Sequence, residues 1–361
     1  MNLDVEYQEL WRKLLELPMG IGRLMAVEQI INLADSNNDL EVAYQMRMQL
    51  VRLANNTGYP DKAIVAFSWC LSQMDKTPEI DRWDSVLHEY KVIQEWIPVF
   101  AGVSRNQIVK MQEDFCQRAL QLGFSERTPH YYRSWNYMRM GEYDLAHEHQ
   151  EKYLSMTKDG LADCKACEKD RQVELLSRMK RDEEALEAAK PIMSFRMRCG
   201  EVPQFTYAHI CKSLIRTGSV EKAAKQFPAA YNIVKKERKY LGTIGDLLLV
   251  LIRVEDLDQA FNCAKSHMNW AAETAAEELK FRFFSPCALL FEAIGKQRDN
   301  IRLALPKEFD CYREDGDYSC NALAKWFAEQ TTELAARFNQ RNGNTRYDEM
   351  LIDNRELAGL S

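Results

Sequence analysis

The sequence predicts an all-α protein, a right-handed superhelical solenoid of antiparallel helix pairs closed by a C-terminal capping helix. Three observations predict it. First, a short phrase recurs: MGEYDLA at 140–146 is echoed by MKRDEEA at 179–185, TGSVEKA at 217–223 and VEDLDQA at 254–260. Each joins a polar turn to acidic residues and then to an alanine that opens an apolar run. The alanines Ala146, Ala185, Ala223 and Ala260 are spaced 39, 38 and 37 residues apart. A period in that range marks stacked helical hairpins, because each hairpin needs neighbours to bury its apolar face. Second, Gly and Pro together number 25 of 361 residues, about 7% where roughly 12% is usual. Third, the apolar residues around each phrase keep helical spacing. Tyr207, Ile210, Cys211 and Leu214 precede one turn at i, i+3, i+4 and i+7, and Ala223, Phe227 and Ala230 follow it.

The elements follow in order. Val5, Leu10, Trp11, Leu14 and Leu15 repeat at helical spacing, and Pro18 stops that helix. Residues 21–33 give a second helix, so 1–39 form an N-terminal helical cap. A helix over 40–54 meets Gly58 and Pro60. Gly58 suits a helix end and Pro60 the first turn of the partner carrying Ala63 and Phe67. Residues 83–100 and 106–120 form the next pair, with Ile108 in the alanine position. Regular hairpins then run to about 270, and 281–294 with 300–305 make one further degenerate pair, so the repeats span 40–309. Residues 310–317 hold four acids and read as a solvated linker, since the alternating ligand spacing of a calcium loop is missing. An amphipathic helix over 322–338 caps the last apolar face. The tail from Asn339 is polar and is expected to be partly mobile.

Over residues 40–270 this pattern resembles the tetratricopeptide repeat. Tyr207, Leu214, Gly218, Ala223, Phe227 and Ala230 match its aromatic, Leu-Gly and Ala-aromatic-Ala positions, while Cys211 replaces a small glycine and the period exceeds the usual one. The resemblance implies a concave groove lined by the first helix of each pair, and a protein- or peptide-binding scaffold rather than an enzyme.

The repeat register nominates groove residues. Seven residues before each alanine stand Arg139, Arg178, Arg216 and Arg253, four arginines in one column. Eleven before stand Trp135, Glu174, Lys212 and Leu249, and fifteen before stand Tyr131, Asp170, Ala208 and Gly245. The expected partner-binding set is Tyr131, Trp135, Arg139, Arg178, Lys212, Arg216 and Arg253. Guanidinium groups pair carboxylates in a bidentate fork and stack on aromatics, so an acidic protein or peptide is the expected partner. Basic residues also suit helix C-termini through the last carbonyls, which explains the column without a ligand. Alternative readings are a peptide-sensing regulator and a toxin-neutralising, immunity-type binder.

Other classes are disfavoured. The net charge of −6 carries no global basic signature of nucleic-acid binding. No apolar stretch approaches a membrane span and no secretory leader is visible. Ten cysteines, most on apolar helical faces, read as reduced thiols of a cytoplasmic protein. Cys164 and Cys167 form the sole CxxC. The following cysteines, Cys199 and Cys211, form no second pair, so neither zinc nor a Cys164–Cys167 disulfide is expected. His147 and His149 point apart on a helix and cannot share a metal easily. No nucleophile, phosphate-binding or metalloprotease motif occurs, so no catalytic residue, metal ligand or cofactor is nominated. The oligomeric state has no signature in the sequence.

Overall fold

Each repeated phrase folds into the same turn. In the computed structural model, which describes residues 3–81 and 86–360, the second residue of every phrase is left-handed: Gly141 at φ 80°, Lys180 at 59°, Gly218 at 78° and Glu255 at 59°. The hydrogen bonds repeat as well. Glu142 N–H reaches Tyr137 O, Arg181 reaches Leu176 O, Ser219 reaches Leu214 O and Asp256 reaches Leu251 O, at 2.7–3.0 Å. Each satisfies a carbonyl that the end of the first helix would otherwise leave unpaired. The alanine that follows is fully buried in all four hairpins.

The described residues are about 75% helical, in 17 α-helices. The N-terminal pair is α1 (Leu3–Glu16) and α2 (Ile21–Ser36), then come α3 (Leu40–Thr57) and α4 (Pro60–Lys76). Gly58 is the left-handed cap of α3 and Pro60 opens α4, as the sequence predicts. The next helix, α5, spans Val86–Trp96 and gives way to a 3₁₀ turn at Ile97–Val99. It ends at Trp96, short of the predicted 100, and the predicted start at Trp83 lies outside the described residues. Its successor is α6 (Arg105–Gln121), which a Ser104–Gln107 capping box starts.

Four hairpins follow: α7 (Arg127–Arg139) with α8 (Tyr143–Ser155), α9 (Lys165–Arg178) with α10 (Asp182–Met193), α11 (Thr206–Arg216) with α12 (Val220–Val234), and α13 (Leu241–Arg253) with α14 (Leu257–Glu273). The members of each pair pack on one another, and α9, α11 and α13 also pack in succession. Across two hairpins a side chain of the first helix bonds the carbonyl of the buried alanine. Ser134 Oγ donates to Ala146 O at 2.7 Å, and Cys211 Sγ to Ala223 O at 3.8 Å. The other two hairpins carry the buried Val173 and Leu248 at that position and fill it with apolar bulk instead.

The C-terminal part departs from the sequence reading. Helix α15 (Glu277–Gly295) packs against α13 as well as α14. Residues 300–305 make no helix. Asn300–Arg302 form β1, which pairs antiparallel with β2 (Asp317–Ser319), the two-stranded ribbon found among the described residues. Isoleucine in the middle of a three-residue segment alternates exposed, buried, exposed, a period too short for a helix to use. The helix predicted over 322–338 is present as α16 (Cys320–Asn342), packed on α15. The tail is ordered as α17 (Arg346–Ala358), which buries Tyr347, Asn354, Leu357 and Ala358. Among the described residues no helix is long and apolar enough to cross a membrane.

Candidate functional site

The arginine column meets carboxylates of its own chain. Helices α7, α9, α11 and α13 present Arg139, Arg178, Lys212, Arg216 and Asp246 on one face, and α15 and α17 lie across it. Arg139 Nη1 donates to Glu278 Oε1 of α15 at 2.7 Å, and Arg178 sits 3.8 Å from the same carboxylate. Arg178 Nε also donates to Glu174 Oε1 at 2.9 Å. Arg216 holds Asp182 through Nε and Nη2 at 2.9 and 2.8 Å, and its Nη1 reaches Asp353 of α17 at 3.1 Å. Lys212 Nζ lies 2.6 Å from Asp246, which Arg282 of α15 also pairs. Asp353 lies 3.2 Å from Lys180 as well.

The closeness of α15 has a simple cause at Gly245, one of the positions fifteen residues before an alanine. A Cβ there would stand 2.2 Å from Arg282 O and 2.7 Å from Phe283 Cα. The backbone of α15 therefore occupies the space that a side chain of α13 would take. Nearby, Gly141 leaves room for Arg346 at the start of α17, whose Cβ would come within 2.7 Å of an added Cβ. Asn344 Nδ2 donates to Met140 O at 2.8 Å, and Arg341 Nη1 to Pro98 O at 2.7 Å. The segment after α14 thus folds back over the earlier hairpins.

Burial governs the electrostatics. Desolvation works against the charged forms of Glu174, Glu278 and Asp246. The guanidinium groups around them outweigh it, and Arg139 beside both glutamates and Arg282 beside Asp246 hold all three below the usual carboxylate range. Burial lowers Lys212, and it takes His209 down to about 3, so that imidazole is neutral in the network. Burial raises Glu95 and Asp170 to about 7.

The sequence-nominated residues divide. Trp135 is buried with its indole N–H on Glu95 O at 3.2 Å, and its ring lies between the guanidinium groups of Arg171 and Arg139, 3.6 and 4.1 Å away. Tyr131 packs inside the α7–α8 pair with its ring edge-on to Tyr132 and Tyr153. Arg139, Arg178, Lys212 and Arg216 share one network. Arg253 stays exposed beside the Gly359 backbone and makes no salt bridge among the described residues. Sequence reasoning missed Arg171, Arg282, Glu278 and Asp353. Arg171 lies seven residues before Arg178, two helical turns along the same face, a signal that was legible. The other three lie beyond the last phrase, where the register offers none.

A cavity of about 220 Å³ remains between this face and α17, lined by Arg178, His209, Lys212, Arg216, Met350 and Asp353 among others. Asp246 and Glu349 line it too, so its walls are of mixed sign with cations in excess, a setting that suits a carboxylate or similar anion. His147 and His149 do point apart, as the sequence implies. His149 Nδ1 faces His130 Nδ1 at 2.8 Å, whereas His147 Nε2 faces Arg181 Nη1 at 3.1 Å.

The CxxC gains a third cysteine that the spacing did not reveal. Cys167 Sγ lies 3.4 Å from Cys164 Sγ and 3.2 Å from Cys199 Sγ. No protein-family model matches the chain, and no curated protein matches it either.

Proposed function

We propose that the chain is a non-catalytic binding scaffold of the tetratricopeptide-like class, its helix pairs winding into a right-handed solenoid whose concave face takes an acidic protein segment. The observation that carries this reading is the column's choice of partner within the molecule: Arg216 and Lys180 hold Asp353, a carboxylate borne on the amphipathic helix α17. A face that seats an acidic helix of its own chain has the chemistry to seat another. Most of the column is fixed by internal carboxylates and serves to lock the helices in register. Recognition therefore falls to its accessible margin, where Lys180 and Arg253 are exposed and Arg346 borders the cavity. The ten cysteines support a reducing, cytoplasmic compartment.

The test is affinity capture from native cytoplasm, with the wild-type chain and a Lys180→Glu/Arg253→Glu variant run in parallel. Both positions are exposed, but Lys180 also pairs Asp353 of α17, so the variant is first shown by circular dichroism and its melting curve to keep the fold. The expected result is a partner with an acidic segment, retained by wild type and lost by the variant. A partner held equally by both removes the acidic-groove reading.

A further inference from the structure

We propose that Cys164, Cys167 and Cys199 form a three-thiolate site for a thiophilic divalent cation of the zinc type. The three sulfurs lie within 4.8 Å of one another, with edges of 3.4 Å between Cys164 and Cys167 and 3.2 Å between Cys167 and Cys199. Zinc sits about 2.3 Å from each thiolate, so tetrahedral geometry requires sulfur–sulfur edges of about 3.8 Å. The two short edges fall about 0.4 and 0.6 Å below that value and the third is within 4.8 Å, so modest side-chain shifts that open the triangle admit the cation.

The backbone is arranged for thiolates rather than for thiols. Cys164 is the N-cap of α9, and its Sγ accepts the N–H of Cys167 at 3.3 Å. Cys199 Sγ accepts the N–H of Glu201 at 3.4 Å in the loop between α10 and α11. Amide hydrogens aimed at sulfur, together with the positive end of a helix, favour S⁻ over SH.

Binding exchanges thiol protons for the cation and changes no oxidation state. Each S–H that is still protonated releases H⁺ to solvent as its sulfur ligates. The cation ties the start of α9 to the loop before α11, and so clasps two successive hairpins. Among the described residues no fourth His, Cys, Asp or Glu joins the cluster, and Cys164 is exposed. The fourth coordination position is therefore open to water or to an incoming ligand atom, as in zinc sites with three protein ligands.

The experiment uses the full chain, reduced and stripped with chelator, titrated anaerobically with Co(II) and then with Zn(II). One Co(II) per chain should give a sulfur-to-cobalt charge-transfer band and the visible bands of a tetrahedral site, both abolished by Zn(II). Cys199→Ser and Cys164→Ser should each weaken binding by at least about 100-fold, since even outer-shell losses cost roughly 10–100-fold. Cys311→Ser, at a half-buried cysteine elsewhere, should bind as wild type. Zn(II) should raise the melting temperature of wild type but not of Cys199→Ser, with circular dichroism confirming that both are folded. The proposal is overturned if the wild-type chain shows no charge-transfer band, or if Cys199→Ser shows it undiminished. It is equally overturned if Cys164 and Cys167 resist alkylation as a disulfide under the reducing conditions used.

Discussion

Replacing Gly245 with alanine tests whether α15 is seated on α13 as a fixed part of the fold. The substitution sets two effects of opposite sign against each other. Within an isolated helix, Gly→Ala is favourable by about 0.8–1 kcal/mol. In the folded chain the new Cβ would stand 2.2 Å from Arg282 O, where ordinary contact begins near 3.4 Å. The two helices must therefore separate by the difference, about 1.2 Å. That separation disturbs packing around the fully buried Phe283 and the Arg282–Asp246 pair. Overpacking of this kind costs typically 1–3 kcal/mol and occasionally more, and a clash with backbone cannot be relieved by a rotamer change. The difference is a net loss of up to about 2 kcal/mol, read as a lower denaturant midpoint with unchanged slope. Gly22→Ala is the internal control: Gly22 is in α2, and its nearest neighbour would be Leu17 Cδ2 at 3.8 Å, so that variant should be neutral or stabilised by up to about 1 kcal/mol. If Gly245→Ala shifts the midpoint upward as Gly22→Ala does, α15 does not lie on α13 as described, and the account of an internally occupied face fails with it.

Glu278→Ala should cost about 3–5 kcal/mol, because it leaves Arg139 buried without its closest carboxylate, whereas Glu292→Ala, which breaks a surface pair with Arg355, should cost about 0–1 kcal/mol. Similar losses in urea titrations of the two variants would contradict the buried network. Ala223→Leu should cost about 1–3 kcal/mol, since Ala223 is fully buried at the hairpin crossing. An unchanged melting temperature would mean the register is wrong. Burial lowers His209 to about 3 and His267 to about 4, so both should remain neutral at pH 5 in the folded chain by NMR titration. The unfolded imidazoles protonate near 6.5, so the stability these two groups contribute is present above pH 6.5 and is lost as pH falls toward 4 and 3. Glu95 and Asp170, raised by burial to about 7, work in the opposite sense, with stability present below their unfolded values and lost as pH rises through 7. Either imidazole charging near pH 6.5 in the folded state would refute its burial.

The sequence alone determined the helical hairpins, because local physics suffices for them. A left-handed turn residue, a small residue at the crossing and a 3.6-residue apolar stripe each act over a few positions, and they recur at fixed spacing from 140 to 260. The same register placed Arg139, Arg178, Lys212 and Arg216 on a common face. What faces them was decided only in three dimensions. Glu278 and Asp353 lie 139 and 137 residues from the arginines they pair, beyond the last phrase, and nothing in a periodic pattern encodes a segment that leaves the period and folds back. The tail from Asn339 reads as polar and mobile for the same reason: α17 is stable through Tyr347 and Asn354 packed on distant elements rather than through its own propensity. Cys199 shows the principle at its smallest scale. Thirty-two residues separate it from Cys167, and only the return of the α10–α11 loop to the start of α9 brings their sulfurs to 3.2 Å.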